Sequence, residues 1–176
     1  MTLFRKLRSS LHHKLLQRKL SKTNYQRQAA NFERARKIGV LVDVTLPDNL
    51  RTAKKFNQQL ASMSKRADFF AYTNHSKPAE SIPFPYMTHE HVSWLFIPNH
   101  PLVEDYLTKH YDLLINLCTE ECLPLEYISA LSNASFRVGR FIADKTYCFD
   151  LMINLNGKND MDYLIEQMEV YLKMIK

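Results

Sequence analysis

The chain has 176 residues, of which 45% are hydrophobic and 24% are charged, and it contains 3 glycines, 7 prolines and 3 cysteines. These counts exclude collagen-like repeats, low-complexity disorder and a disulfide-rich scaffold, and no apolar run approaches the roughly 18 to 20 residues of a membrane-spanning helix. Lysine and arginine outnumber aspartate and glutamate by 24 to 18, and the excess lies at the N-terminus. We therefore expect a soluble protein in which a basic N-terminal segment precedes one globular domain.

The N-terminal segment differs sharply in charge from the rest of the chain. Residues 1–37 hold 11 basic side chains and one acid, whereas residues 38–176 hold 13 basic and 17 acidic side chains. We predict a helical arm and linker over 1–37 and a single α/β domain over 38–176. Such an arm is typical of proteins that contact a polyanion, either RNA or a ribonucleoprotein, or an anionic membrane surface. The alternative is a solvated helix, or an arm that folds back on the acidic body.

Apolar residues in the arm recur at spacings of three and four, which predicts an amphipathic helix from residue 2 to about residue 21. The stripe comprises Leu3, Phe4, Leu7, Leu11 and Leu15. Basic residues outside the stripe, together with Tyr25 and Phe32 in the linker, could neutralise phosphate and stack on bases. The nucleic-acid-binding candidates are Arg5, Lys6, Arg8, Lys14, Arg18, Lys19, Arg27, Arg34, Arg36 and Lys37.

The cysteine count bears on the compartment. Cys118, Cys122 and Cys148 are an odd number in a chain without a secretory signal, which favours a reducing cytoplasm. A basic, acid-free N-terminus is also typical of a mitochondrial presequence, but lysines and histidines dilute the usual bias toward arginine and serine. The cytoplasm is therefore the predicted location.

The body alternates short apolar runs with helical patterns. Strands are predicted at 38–45, 68–73, 91–97 and 112–118, because each run is apolar and rich in β-branched or aromatic residues. Helices are predicted at 48–63, from Pro101, from Pro124 and over 161–175. Segment 75–88 holds three prolines and is predicted to be largely irregular.

Two final strands are predicted over 136–142 and 147–155. The short polar turn between them, Asp144 and Lys145, indicates an antiparallel hairpin. Strands that alternate with helices predict a three-layer α/β fold with a mostly parallel sheet and flanking helices. The hairpin would form one antiparallel edge of that sheet.

Ligands of open parallel sheets bind outside the carboxyl ends of the strands, where the strand order reverses. Polar residues follow the predicted strands at Asp43, Thr45, Thr73, Asn74, Asn99, His100, Cys118, Thr119, Asn154 and Asn156. Asp43 could hold a metal ion or serve as a base, although capping the next helix is the commoner role for such a carboxylate. A haloacid-dehalogenase motif would need a second aspartate where this chain has Thr45.

Arg137 and Arg140 complete the set of ligand-binding candidates with Asp43 and Thr45. A guanidinium pair suits a phosphate or a carboxylate, and Gly139 between them indicates a bulge or a close approach. The alternative is that the two arginines belong to an amphipathic edge strand.

Several chemical signatures are missing. The three glycines stand apart, at 39, 139 and 157, so the chain has no glycine-rich phosphate loop. Cys118 and Cys122 have neither thioredoxin nor zinc spacing and are predicted to be core residues. A Cys118 nucleophile with a histidine base, and a metal site at His89 and His91 with His75 or His100, are the alternatives. We predict no metal and no cofactor.

Five features of the chain together resemble a family of small uncharacterised bacterial α/β proteins of about this length. They are the basic arm and the segments IGVLVDVT (38–45), DLLINL (112–117), FRVG (136–139) and FDLMI (149–153). The resemblance implies the fold and a bacterial cytoplasm, and it brings no activity and no site residue with it.

The sequence therefore favours a non-catalytic binding protein whose basic arm contacts RNA or a ribonucleoprotein. One alternative is a small-molecule-binding protein or enzyme with a site at the carboxyl edge of the sheet. Another is docking of the N-terminal helix, through its leucines, on a membrane surface or a partner protein.

Overall fold

The structure is a computed structural model that describes residues 2–23, 26–143 and 145–175, with side chains from Lys6 onward within those ranges. Tyr25, Asp144 and the side chains of Leu3, Phe4 and Arg5, all named in the sequence predictions, lie outside the described residues.

Within the described residues, six strands form one sheet. They are β1 (Lys37–Asp43), β2 (Arg66–Thr73), β3 (Tyr86–Thr88), β4 (His110–Asn116), β5 (Asn133–Arg140) and β6 (Leu151–Ile153). Every pair of neighbours is parallel, and the order across the sheet is β3-β2-β1-β4-β5-β6. The chain reverses its direction across the sheet between β1 and β4, as in doubly wound α/β proteins. The prediction of an α/β fold with a mostly parallel sheet is confirmed.

Helices cover both faces of the sheet. They are α1 (Thr2–Leu20), α2 (Pro47–Ser62), α3 (Pro101–Thr108), α4 (Leu123–Leu131) and α5 (Met161–Met174). One core contains residues of α2 and α5 packed on β1, for example Phe56, Leu164 and Val40. A second core, on the opposite face, contains residues of α3 and α4. The predicted three-layer arrangement is therefore confirmed.

The N-terminal segment packs on the body through α1 and through the residues just before β1. α1 lies against α4, and Leu16 is buried beside Tyr127 of that helix. Phe32 and Ala35, just before β1, are buried in the core that α2 and α5 share. No helix in the described part of the chain is both long enough and apolar enough to cross a lipid bilayer.

The predicted antiparallel hairpin at the end of the sheet is wrong, because β6 pairs with β5 in parallel. The described residues between β5 and β6, 141–143 and 145–150, return the chain to the start of a parallel strand. Lys145, Cys148 and Phe149 of this return loop are buried. Gly139 lets the loop approach, since a Cβ at that position would lie 2.5 Å from the ring of Phe149. The close approach expected at Gly139 is real, but its neighbour is a side chain of the protein.

The predicted strand over 91–97 is also wrong. Its place in the sheet is taken by β3, in the proline-rich segment predicted to be irregular, which pairs with Ala71–Thr73 of β2. Residues 92–98 form a loop closed by one antiparallel bridge between Val92 and Pro98. Phe96 has a φ of 59°, a conformation that a non-glycine residue rarely adopts and that a strand does not contain.

Candidate functional site

A cleft of about 920 Å³ opens at the carboxyl edge of the sheet. It lies where β1, β2 and β4 end and where α2 and α4 begin, at the reversal of the strand order. Its lining comprises Arg8, Asp43, Thr45, Leu46, Asn49, Tyr72, Asn74, Phe96, Cys118, Thr119, Glu120, Glu121, Cys122, Leu123, Pro124 and Asn159. This volume suits a small molecule, and the position is the one where α/β proteins of this strand order bind ligands.

Asp43, the last residue of β1, supplies the carboxylate at the floor of the cleft. Its Oδ1 accepts a hydrogen bond from the backbone N–H of Thr45 at 2.9 Å. Burial raises the pKa of the Asp43 carboxyl group above its ordinary value of 3.8, although hydrogen bonds from Thr45 and Cys122 act in the opposite direction. The helix-capping alternative does not apply, since Leu46 occupies the N-cap of α2 and no side chain caps that helix.

The polar groups around Asp43 are held by local hydrogen bonds. Thr45 Oγ1 accepts from the backbone N–H of Asn74 at 2.9 Å, which joins the chain after β1 to the chain after β2. Asn49 Nδ2 donates to the backbone oxygen of Asp43 at 2.9 Å. The strand ends thus hold the carboxylate, a hydroxyl and two amides together before any ligand arrives, and such pre-organisation lowers the entropic cost of binding.

The two helices that begin at the cleft offer few free N–H donors to an anion. α2 begins at Pro47 and α4 has Pro124 in its first turn, and proline has no backbone N–H. Each of these helix N-termini therefore presents fewer backbone donors to a phosphate than a helix without proline in its first turn.

Charge in the cleft is predominantly negative. Of the described side chains that line it, three are carboxylates, at Asp43, Glu120 and Glu121, and one is a guanidinium, at Arg8. One of the three carboxylates has a cation nearby, because Lys145 Nζ lies 3.0 Å from Glu121 Oε1. The negative charge of Glu120 further raises the pKa of Asp43. A positively charged ligand would relieve this repulsion.

Arg8 reaches the cleft from α1, where sequence alone assigned it to polyanion binding. Its Nε donates to the backbone oxygen of Trp94 at 2.8 Å. Its guanidinium carbon lies 4.2 Å from the ring centroid of Phe96 and 5.2 Å from that of Trp94, within the range of cation–π attraction. Helix spacing could not reveal this role, because the 92–98 loop is more than 80 residues away in sequence.

The thiols of the cleft are buried and hydrogen-bonded. Cys118 and Cys122 are each 5% exposed, and the thiols contact each other. Burial raises the pKa of the Cys122 thiol well above its ordinary value, and its contacts with Cys118 and Asp43 raise it further. Cys118 and Cys122 both lie in the core that α3 and α4 share, as predicted, and no histidine is among the described residues that line the cleft beside Cys118.

Arg137 does not reach the cleft, although it lies on β5, two strands from Asp43. Its Nη2 and Nε donate to the two carboxylate oxygens of Asp150 at 2.8 and 3.0 Å. Its Nη1 donates to the backbone oxygens of Ala130 and Tyr147. Arg137 is 6% exposed, so its guanidinium fastens the return loop before β6.

Arg140 lies beside the cleft but is not part of its lining. Its Nε donates to the backbone oxygen of Glu120 at 3.2 Å, and its Nη2 lies 3.8 Å from Glu126 Oε1. Of the four ligand candidates from sequence, the structure brings Asp43 and Thr45 together in the cleft and places both arginines in contacts with other elements.

Two of the four histidines considered for a metal site accept hydrogen bonds from backbone N–H groups. His91 Nδ1 accepts from the N–H of Thr88, and His100 Nδ1 accepts from the N–H of Leu102 at the start of α3. The two rings are 4.4 Å apart. In the part of the chain that the structure describes, no group of three or more His, Cys, Asp or Glu side chains is placed to hold a metal ion.

The basic candidates of the N-terminal segment fall into two groups. Lys19 donates to the hydroxyl of Tyr127 at 2.6 Å, and Arg27 donates to the backbone oxygens of Ser132 and Ala134, so both hold the segment to the body, as Arg8 does. Lys6, Lys14, Arg18, Arg34, Arg36 and Lys37 are exposed, as Lys19 is, and the side chain of Arg5 is outside the described residues.

No protein of curated function matches this chain. The sequence pattern of one family does match, from residue 8 to residue 175, and so takes in the cleft and all five helices at least in part. It is described as a family of unknown function, and no activity is attached to it. The chain belongs to this family of unknown function, DUF6913.

Proposed function

We propose that this protein binds a small, amine-bearing molecule in the cleft at the carboxyl edge of the sheet. The observation that carries the proposal is the carboxylate of Asp43, partly buried at the reversal of the strand order and held there by Thr45. A protonated amine would neutralise that carboxylate where water solvates it poorly, so the ion pair would be strong.

The rest of the lining fits the same class of ligand. Hydroxyl and amide groups of Thr45, Asn49, Asn74 and Thr119 can hydrogen-bond to hydroxyl groups of a ligand. Phe96 and Tyr72 offer aromatic surface for its carbon skeleton. An amino sugar, an amino alcohol or a short diamine has this combination of features.

Matched pairs of compounds test the proposal by thermal unfolding of the full chain. The pairs are 1,4-diaminobutane against 1,4-butanediol, and glucosamine against glucose, with glucose 6-phosphate as an anionic probe. We expect the amine of at least one pair to raise Tm more than its neutral partner, because binding to the folded state alone stabilises it. Asp43→Asn should remove that preference, whereas Asp105→Asn, an exposed acid on α3, should retain it.

Two outcomes would contradict the proposal. One is that neither amine raises Tm more than its neutral partner does. A weak metabolite site has a Kd of roughly 1 mM, and the comparison extends to about 100-fold that concentration. The other is that the sugar phosphate stabilises the protein and the amines do not.

RNA binding by residues 1–37 stays a prediction, and the exposure of Lys14, Arg18, Arg34 and Arg36 favours it. Residues 1–37 do not form one free arm, since α1 is docked on α4 and Phe32 and Ala35 are packed in the core. Titration of labelled single-stranded RNA over a salt series tests the prediction, because release of counterions makes true phosphate contacts steeply salt-dependent. The location in a reducing cytoplasm also stays a prediction, with three free thiols in its favour.

A further inference from the structure

The face of α1 that points away from the body is both apolar and basic. Leu7 and Leu11 are 55% and 37% exposed, respectively. Lys14 and Arg18 are also exposed. At 100° per residue these four side chains fall within about 60° of one another. The face that meets the body is the opposite one, where His12 and Leu16 are each 1% exposed. Of the leucine stripe predicted from sequence, Leu7 and Leu11 are thus exposed, whereas Leu15 is partly buried.

We propose that this outward face of α1 docks on an anionic membrane surface. Leucines on a helix that lies in the plane of the membrane enter the boundary between headgroups and acyl chains, and lysines and arginines pair with the lipid phosphates. Residues 1–32 contain no Asp or Glu to oppose that attraction. RNA could satisfy Lys14 and Arg18, but it would leave Leu7 and Leu11 in water.

Trp94 adds an interfacial residue that α1 itself lacks. Its ring is 57% exposed and lies 5.2 Å from the guanidinium carbon of Arg8, next to Leu7 in the chain. Tryptophan prefers the interface between membrane and water, where its ring is partly in apolar surroundings and its N–H is hydrated. The contact with Arg8 therefore places the single tryptophan of the chain beside the N-terminal half of α1.

The chemistry of this face sets the strength of docking. Each basic residue near an anionic bilayer raises the partition coefficient onto the membrane by about fivefold. The contribution of Leu7 and Leu11 is limited, because both are only partly exposed. Docking should therefore be reversible, require anionic lipid and weaken as salt screens the charges.

Flotation of the full chain with vesicles tests the proposal. We expect the protein to float with phosphatidylcholine vesicles that contain about one third phosphatidylglycerol, and not with phosphatidylcholine alone. Flotation should fall as salt rises from about 0.05 to 0.5 M, over which the screening length shortens severalfold. The emission of Trp94 should shift to shorter wavelength on binding, because its ring leaves water.

Variants distinguish binding by the outward face of α1 from a general effect of the net charge of the protein. Leu7→Ser with Leu11→Ser, and Lys14→Glu with Arg18→Glu, should each weaken vesicle binding by at least roughly tenfold. Arg34→Glu with Arg36→Glu makes the same change in net charge at exposed sites outside α1 and should alter binding by less than about threefold. All six substituted side chains are exposed, so the variants should unfold at the Tm of the unaltered chain within a few degrees.

Three results would overturn the proposal. The first is no flotation with anionic vesicles at the lowest salt, with or without binding to labelled RNA. The second is flotation that the leucine variant leaves unchanged, since docking would then be electrostatic only. The third is a dimer in solution that the leucine variant dissociates, because a second copy of the chain would then cover this face.

Discussion

Asp43 couples the stability of the fold to the chemistry of the cleft. Burial raises the pKa of its carboxyl group in the folded chain, so ionisation at neutral pH disfavours the folded state. This cost is absent below the ordinary pKa of 3.8, grows as the pH rises above that value and is complete once the pH exceeds the raised pKa of the folded state. A group with this behaviour in a cleft is typical of binding sites, where function is maintained at the expense of stability.

We therefore predict that Asp43→Asn increases the free energy of unfolding at pH 7, although it removes ligand binding. Asparagine retains an oxygen for the N–H of Thr45 without the charge. A gain of about 1 kcal/mol would raise Tm by roughly 2–4 °C in a chain of this length. Urea unfolding of both proteins from about pH 7 down to about pH 4 checks the cause, because the advantage should shrink as Asp43 becomes protonated. An advantage that does not vary with pH would contradict it.

The return loop before β6 contains a buried cation, Lys145. Lys145 is 7% exposed, and its Nζ lies 2.7 Å from Glu126 Oε2 on α4, where Glu126 is 3% exposed. Lys145→Met would leave the Glu126 carboxylate buried with only the more distant guanidinium of Arg140. We predict a loss of about 3–5 kcal/mol in the free energy of unfolding, the usual cost of breaking a buried ion pair.

Glu126→Gln on the Lys145→Met background is the control for that prediction. Removing the second charge should restore part of the lost stability, because no uncompensated ion remains in the core. Urea unfolding of the three proteins measures both effects. A loss below about 1 kcal/mol in the single variant, or a double variant less stable than the single one, would show that the pair does not hold the loop.

At the scale of elements, the docking of α1 depends on a neutral histidine. His12 Nδ1 lies 2.8 Å from the backbone oxygen of Leu95, and since a carbonyl only accepts, Nδ1 carries the proton. Burial lowers the pKa of His12 below 6.5, and the charge of Lys145 adds to this effect, whereas the Leu95 carbonyl and Glu121 oppose it. The stabilising contribution of His12 is therefore full above pH 6.5 and is lost as the pH falls below that value.

We predict that α1 opens locally from the body more often at about pH 5.5 than at about pH 7.5. Hydrogen exchange of α1 amides, corrected for the intrinsic pH dependence of exchange, measures this opening. His12→Asn keeps a donor for the Leu95 carbonyl but does not titrate, so its α1 should exchange with little dependence on pH. Equal pH dependence in both proteins would assign the effect to another group, such as His13.

Elements with local signals were predictable from sequence, and elements fixed by distant contacts were not. The apolar runs that became β1, β2 and β4 are buried on both faces, and such runs identify strands without tertiary knowledge. The direction of β6 depends on contacts of the loop before it, such as the packing of Phe149 on Gly139. Lys145 resembled a turn residue because sequence does not show Glu126, its partner on α4.

In the candidate site, too, residues with a local signal in the sequence could be predicted, and residues placed by distant contacts could not. Asp43 and Thr45 could be named because the carboxyl ends of parallel strands are where ligands bind, whatever the ligand. Arg8 and Phe96 could not, since a contact between α1 and the 92–98 loop has no local signal. Arg137 had the right chemistry for an anion, but Asp150, 13 residues further along, already occupies its guanidinium.

At the scale of the whole molecule, opposite charges are separated onto two surfaces. The cleft at the carboxyl edge of the sheet is lined by three carboxylates and Arg8 among its described side chains, whereas the outward face of α1 carries Lys14 and Arg18. α1 contributes to both surfaces through different sides of one helix. Binding of an amine in the cleft should therefore be unaffected by Lys14→Glu with Arg18→Glu, apart from weak long-range attraction that salt removes.

The most direct measurement of the central claim is a titration of the ¹⁵N-labelled full chain with 1,4-diaminobutane and with glucosamine, followed by two-dimensional NMR. We predict saturable shifts of amide signals at Thr45, Asn74 and Thr119, around the cleft, for at least one of these amines, and no such shifts in the Asp43→Asn variant. Shifts confined to other surfaces, or none with either amine, would contradict the assignment of the cleft as an amine-binding site.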